Sequence, residues 1–262
     1  MEPAVLFDLD DTGIATITLN RPEMRNPISG DDVVNGLCDT LAAMEANPKV
    51  RVAILTGAGK AFSSGGDINA MKPGGGGLNA GFPAGTRGNY KRGIQRLPLA
   101  FAALEVPVIA AVNGPAIGAG FDLALACDLR LGSPSARFAH TFVDLGIIPG
   151  DGGAWLLPRV VGWQRACELA FTARVIDAET AVEYGVLLSV HADLAEATRA
   201  LADAIAARPG HSLRLTKRLL RHARTMELDG FLDLTASLQA LAHTTEEHRL
   251  AVERYLERWS RP

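Results

Sequence analysis

Two glycine-rich turns carry the most suggestive chemistry in this chain: FSSGGDI at residues 62–68 and NGPAIGAGFD at 113–122. Each follows an apolar run and presents small residues where a helix is expected to begin. A helix start leaves backbone N–H groups without intrahelical partners and carries a partial positive charge. Glycine lets another molecule approach those amides closely. Two such starts facing each other would aim a pair of N–H donors at one oxygen, as an oxyanion hole requires. Taken singly, each turn favours the plainer role of a tight turn that packs a helix on a strand. Asp122 lies in the first turn of the second helix start, and a carboxylate near such amides would be placed for proton transfer next to a carbonyl. The competing role for Asp122 is a buried helix residue paired with an arginine. The run FDLALAC is otherwise apolar, and an idle buried carboxylate is costly.

Other chemistries fit less well. GAGKAFS lacks the serine or threonine after lysine, and the leading glycine, that a phosphate-binding loop needs. GAGFDLALACD has Leu123 where a dinucleotide fingerprint has its third glycine. Ser63 and Ser64 lack the first glycine of a nucleophile elbow. There is no His-Glu-x-x-His or paired Cys-x-x-Cys, so no metal site is expected. Of the six histidines only His140 is near candidate chemistry, and a partly buried strand residue is its simpler role.

The elements that must position these turns are legible as an alternation. AVLFDLD and GIATITLN read as strands of a hairpin, and Ser29 as the N-cap of a helix through SGDDVVNGLCDTLAAMEANP. VRVAILTG and PVIAAVNG read as strands apolar on both faces, with YKRGIQRLPLAFAALE as a helix between them. Such strands separated by helices predict a mostly parallel α/β core. Residues 72–89 are expected to be a long mobile loop, either a surface insertion or a wall of the site. From Ala192 the pattern is helical only, which divides the chain into a core at 1–191 and a helical region at 192–262.

The chain has 262 residues, 48% hydrophobic and 21% charged, with a net charge of −3. That balance gives no electrostatic reason to expect a nucleic acid or an anionic membrane as partner. No signal peptide and no apolar run of membrane-spanning length is visible, so a soluble cytoplasmic protein is expected. Cys38, Cys127 and Cys167 lie apart in apolar surroundings and are expected to be buried free thiols.

The ordered set LNRPEMRNPIS, LTGAGKAFSSGGDI, VPVIAAVNGPAIGAGFDLALACDLR and LGIIPGDGGAWLLPRVVG closely resembles the enoyl-CoA hydratase/isomerase (crotonase) family. The resemblance spans about residues 4–190 and continues weakly to the C-terminus. It implies an α/β, crotonase-like (ClpP/crotonase) core of repeated β-β-α turns and a helical C-terminal region that builds homotrimers or hexamers. The implied substrate is an acyl-CoA thioester; coenzyme A enters as part of it and no separate cofactor is expected. The backbone N–H groups of Gly66 and Ala119 would form the oxyanion hole. Ser64, Asp67 and Ile68 would line the coenzyme A site, with Arg25 and Lys60 near its phosphates or else solvated.

Hydratases of the family use two glutamates. Asp122 matches the first; the second is matched by Phe142, which cannot hold water. Asp151 is the nearest replacement and is expected either to be catalytic or to cap the helix that begins near Gly152. Asp144 is a weaker candidate. A dienoyl-CoA isomerase of the family also has aspartate at the position of Asp122 and another next to that of Asp151, but keeps the glutamate at Phe142. Hydration or double-bond isomerisation through an enolate is the leading expectation. Dehalogenation, decarboxylation and thioester hydrolysis on the same scaffold stay open, as does a binding protein contacting RNA through the basic face of Arg214, Lys217, Arg218, Arg221 and Arg224. A solvated or subunit-interface face is the better reading of that helix.

Overall fold

The computed structural model describes residues 2–72 and 77–259, with side chains to 257. The chain opens with a hairpin of β1 (Val5–Leu9) and β2 (Ile14–Leu19), whose antiparallel register pairs Val5 with Leu19. Helix α1 (Asp31–Ala46) then returns the chain to β3 (Val52–Gly57), which lies parallel to β2. Gly30, not Ser29, stands at the N-cap of α1 and supplies no side-chain cap. Ser29 instead accepts the Asp67 N–H at 2.8 Å and so ties the helix start to the 59–68 loop.

The stretch expected to be one long loop and one helix is divided differently. Residues 73–76 of the loop lie outside the described residues; the following chain forms α2 (Pro83–Arg92), breaks at Gly93, and continues as α3 (Arg96–Ala103). Pro83 at the first turn suits a helix start, where no N–H is missed. Next come β4 (Val108–Val112), the short β5 (Pro115–Ile117), and α4 (Ala119–Ala126). Then follow β6 (Leu129–Gly132), β7 (Arg137–Ala139), α5 (Gly153–Val161), α6 (Trp163–Thr172), β8 (Ile176–Asp177), α7 (Ala178–Glu183) and β9 (Ser189–Val190). The main sheet has the order β1-β2-β3-β4-β6-β9, and β5-β7-β8 form a smaller one. The alternation of β4-β5-α4 and β6-β7-α5 is the expected β-β-α repeat.

All five residues of β4 are buried, as a strand covered on both faces must be. One face meets α1, α3 and α4 in the main core, which includes Leu37, Leu55, Phe121 and Phe138. The other face, with Ile14, Val52, Ile54 and Ile109, is covered by α8 (Leu194–Ala206). The boundary expected at 191/192 therefore falls just before a helix that belongs to the packing of the sheet. Beyond it lie α9 (Gly210–His222), α10 (Leu228–His243) and α11 (Glu246–Trp259). Cys127 is buried, whereas Cys38 and Cys167 are partly exposed; all three are free thiols.

Three cations of the basic face of α9 are engaged within the fold, while Arg218 and Arg224 are exposed. Arg214 pairs with Glu45 at 3.0 Å, Arg221 donates to the carbonyls of Phe101 and Leu104, and Lys217 Nζ reaches Val106 O at 2.7 Å and Asp128 at 2.6 Å. These cations clamp α9 to the end of α3 and the start of β4. Burial pushes the Lys217 ammonium below its ordinary pKa, and Asp128 opposes the shift. Lys217→Met is expected to lower stability by about 1–3 kcal/mol, because Asp128 and a carbonyl lose a charged donor. Chemical denaturation of both proteins checks this; an unchanged midpoint would contradict it.

Candidate active site

The two glycine-rich turns meet. The chain leaving β3 runs parallel to β5, bridging Ser63 to Ala116. Ile117 N–H donates to Ser63 O at 3.0 Å, and the Phe62 and Ser63 N–H groups both donate to Pro115 O at 3.1 Å. From the other side Ile28 N–H donates to Gly65 O at 2.8 Å, and Ser63 Oγ donates to Asn26 O at 2.7 Å. Gly65 sits at φ +86°; a Cβ there would lie 2.3 Å from Ile117 O and 3.1 Å from Ala119 N. Glycine is thus required both by backbone conformation and by the closeness of the second turn. Gly118 N–H is satisfied by Ala139 O at 2.8 Å. The neighbouring N–H groups of Gly66 and Ala119 donate to no described residue, and their turns are in contact.

Asp122 follows one turn into α4 and is 3% exposed. Among the described residues it has no arginine partner. Its Oδ1 lies 3.2 Å from His140 Nε2, and a Cβ on Gly153 would fall 2.1 Å from Oδ2, so the start of α5 presses its backbone against the carboxyl group. Asp151 is also buried, and its side chain does not cap α5: Gly152 occupies the cap position without a side-chain bond. Asp122 and Asp151 line one small cavity, and each acts on the other's titration. Burial pushes Asp122 up to about 7, against hydrogen bonding from Asp151 and the Gly153 N–H. Burial, then the charge of Asp122, pushes Asp151 well above the usual carboxylate range. The pair titrates as a unit and holds at least one proton near neutrality. Burial also pushes His140 down to about 4, so the imidazole is neutral there.

A cavity of about 10 Å³ is lined by Asp122, Asp151, Ala119, Ile28, Ile94 and Leu97, a volume on the scale of one water molecule. Phe142 is buried, its ring 4.8 Å from that of His140 in an edge contact and facing Gly118. No carboxylate occupies that position, and Asp144 is exposed. Among the described residues no group of three or more His, Cys, Asp or Glu could hold a metal ion.

The remaining predicted residues surround the 59–68 loop. Ser64 Oγ donates to Met24 O at 3.2 Å and its N–H donates to Arg25 O at 2.7 Å. Asp67 accepts the Asn69 N–H at 2.9 Å and caps a short 3₁₀ turn, and Ile68 is exposed. Arg25 and Lys60 are both exposed on turns that touch through Pro22 and Gly59.

Sequence reasoning passed over His140 as an ordinary strand residue. Register is the signal that finds it: β5 pairs with β7 so that Ile117 faces Ala139. His140 is the next residue, at the end from which α4 emerges.

Comparison with known proteins agrees with this architecture. The family model for enoyl-CoA hydratase/isomerase matches residues 10–261. The chain is 38% identical to the 1,2-epoxyphenylacetyl-CoA isomerase of Escherichia coli, over 94% of this chain and 93% of that protein. It is 34% identical to the short-chain-enoyl-CoA hydratase of Clostridium acetobutylicum, over 94% and 92%. The crystal structure of an enoyl-CoA hydratase/isomerase from Cupriavidus metallidurans superposes with a TM-score of 0.89 at 32% identity, covering 98% of this chain and 95% of that one. The chain belongs to the enoyl-CoA hydratase/isomerase family, and it is an acyl-CoA-processing enzyme of the crotonase type.

The electrostatics of Asp122 have a measurable sign. Its folded pKa is raised, so between the unfolded value near 4 and the folded value of about 7 the folded state holds more protons than the unfolded one. That contribution to stability is therefore lost as pH rises through this window. Asp122→Asn removes it, so the variant is expected to gain in melting temperature relative to wild type between pH 5 and pH 8. A difference independent of pH would contradict the assignment.

Proposed function

We propose that this enzyme shifts the double bond of an enoyl-CoA thioester, using Asp122 and Asp151 as a two-carboxylate proton shuttle. The observation that carries the reading is the burial of these two groups around one small cavity, beside two unpartnered amides, where Phe142 stands in place of a second glutamate. The Gly66 and Ala119 N–H groups hold the thioester oxygen. Ionised Asp122 takes a proton from carbon, and the electron pair moves onto that oxygen to give an enolate. The two amides stabilise this charge where it develops. Protonated Asp151 returns a proton to the far carbon, the enolate collapses, and the double bond has moved. A proton passed from Asp122 to Asp151 restores the pair. Burial suits the chemistry, since a base near pKa 7 is ionised and still effective at neutral pH.

Ser64, Asp67 and Ile68 lie along the loop on which coenzyme A would rest, and Arg25 and Lys60 stand where its phosphates would meet solvent. Coenzyme A is then part of the substrate and not a separate cofactor. The cavity of about 10 Å³ beside the pair favours a second reading, hydration by one bound water.

The two readings separate on rate. We expect isomerisation of 3-hexenoyl-CoA to exceed hydration of crotonyl-CoA at least ~10-fold, and Asp151→Asn to lower isomerisation ~10²-fold with an unchanged melting temperature. Dominant hydration would favour the second reading. Wild-type isomerisation by Asp151→Asn would leave Asp122 as the sole acid/base group.

We further propose assembly into a trimer or hexamer. The outer helices expose Leu228, Leu232, Leu241, Tyr255 and Leu256. An apolar groove of about 1320 Å³ between α3, α5 and α9, lined by Leu99, Trp155, Leu213 and Leu220, offers a matching surface. Light scattering is expected to give three or six times the chain mass; a monomer at micromolar concentration would contradict this.

A further inference from the structure

We propose that His140 is a positioning residue for Asp122: its neutral imidazole, protonated on Nε2, holds Oδ1 and leaves the other carboxyl oxygen to exchange the substrate proton. The inference rests on the reading of Asp122 as the proton-transfer group.

His140 is 1% exposed, and its Nε2 lies 3.2 Å from Asp122 Oδ1; both atoms are buried, and neither makes a hydrogen bond to a described residue. Two aromatic rings enclose it: Phe142 at 4.8 Å and Phe121 at 6.4 Å, both edge-on. A charged imidazolium in such a slot would lose its hydration with little in return. A neutral one offers a single N–H where a carboxyl oxygen waits. The β5–β7 register and the Gly118 N–H bond to Ala139 O fix the backbone beneath it, so the ring cannot drift from α4.

The groups that set its protonation are few. Asp122 approaches from α4 and Asp151 from the turn before α5. Tyr90 of α2 faces Asp151 and keeps its hydroxyl neutral, since burial and the Asp151 charge push its pKa up. Among the described residues no lysine or arginine acts on the three clustered groups. The cluster is therefore acidic on balance, and a neutral donor is what lets Asp122 ionise within it.

Proton rearrangement in this arrangement is simple. When Asp122 takes a proton on its free oxygen, His140 keeps its own on Nε2 and remains neutral. When that proton leaves, an N–H donated across the 3.2 Å gap would favour the carboxylate over the protonated acid.

Two variants and one spectrum test this. His140→Leu keeps volume but removes the donor, and His140→Gln keeps an N–H at similar reach. With phenylacetyl-CoA in D2O as probe, the pH at which α-proton exchange is half-maximal is expected to move up by about one unit in His140→Leu. Its kcat should fall ~10-fold or more while KM changes less than ~3-fold. His140→Gln should keep the wild-type pH profile. A wild-type profile in the leucine variant, or an equal shift in both, would overturn the proposal. Histidine ¹⁵N NMR of the unaltered enzyme needs no variant to fold. It should show one imidazole protonated on Nε2 and neutral from pH 8 down to pH 5. A histidine set in which every ring titrates near pH 6.5, or in which none is locked on Nε2, would overturn the proposal. That result would leave the role of Asp122 intact, whereas loss of exchange dependence on Asp122 would remove the reading beneath it.

Discussion

The parallel crossing of residues 62–65 with β5 is the constraint on which the site depends. Three backbone hydrogen bonds from Phe62, Ser63 and Ile117 weld two turns that are fifty residues apart in sequence. The weld is tight enough that no side chain fits at Gly65. Beside it the Gly65, Asp67 and Gly118 N–H groups are taken by Ser63 Oγ, Ser29 Oγ and Ala139 O, whereas those of Gly66 and Ala119 donate to no described residue. An interaction with an oxygen there costs the protein no reorganisation, which is the condition under which fixed dipoles stabilise developing charge.

The same weld launches α4, and α4 carries Asp122 into a space that is almost dry. Three neighbours crowd that carboxyl: Gly153 without a side chain, Asp151 as a second acid, and His140 with Nε2 at 3.2 Å. Burial alone would keep Asp122 protonated. Asp151 and the Gly153 backbone oppose that shift, and the pair keeps at least one proton near neutrality. The cost of burying these groups is carried by a core of fully buried strands and by the clamp of Lys217 and Arg221 on the outer helix.

Much of this was legible in sequence, for identifiable reasons. VAILTG and PVIAAVNG are apolar on both faces, so the parallel sheet follows from them directly. The two glycine turns and Asp122 could be singled out because four motifs in order resemble one family; singly, each turn looks like ordinary packing of a helix on a strand. Asp151 could not be resolved, since a helix-capping aspartate and a buried acid look alike until the cap is seen to be Gly152. Ser29 misled in the same way: its hydroxyl serves a backbone N–H across the fold and not its own helix. His140 was hidden because its significance lies in a strand register, which a linear pattern does not contain. The basic stripe of α9 resembled a surface face because sequence does not show that its cations reach carbonyls at the end of α3.

The central claim is that a buried carboxylate beside two free amides exchanges a proton with the carbon next to a thioester. Butyryl-CoA isolates that step, because a saturated chain has no double bond to move or hydrate. Incubated with the enzyme in D2O, it should acquire deuterium at the α-carbon at a rate that rises as pH passes through about 7, the pKa of Asp122, and that nearly vanishes in Asp122→Asn. Equal exchange in the wild type and in Asp122→Asn would contradict the account.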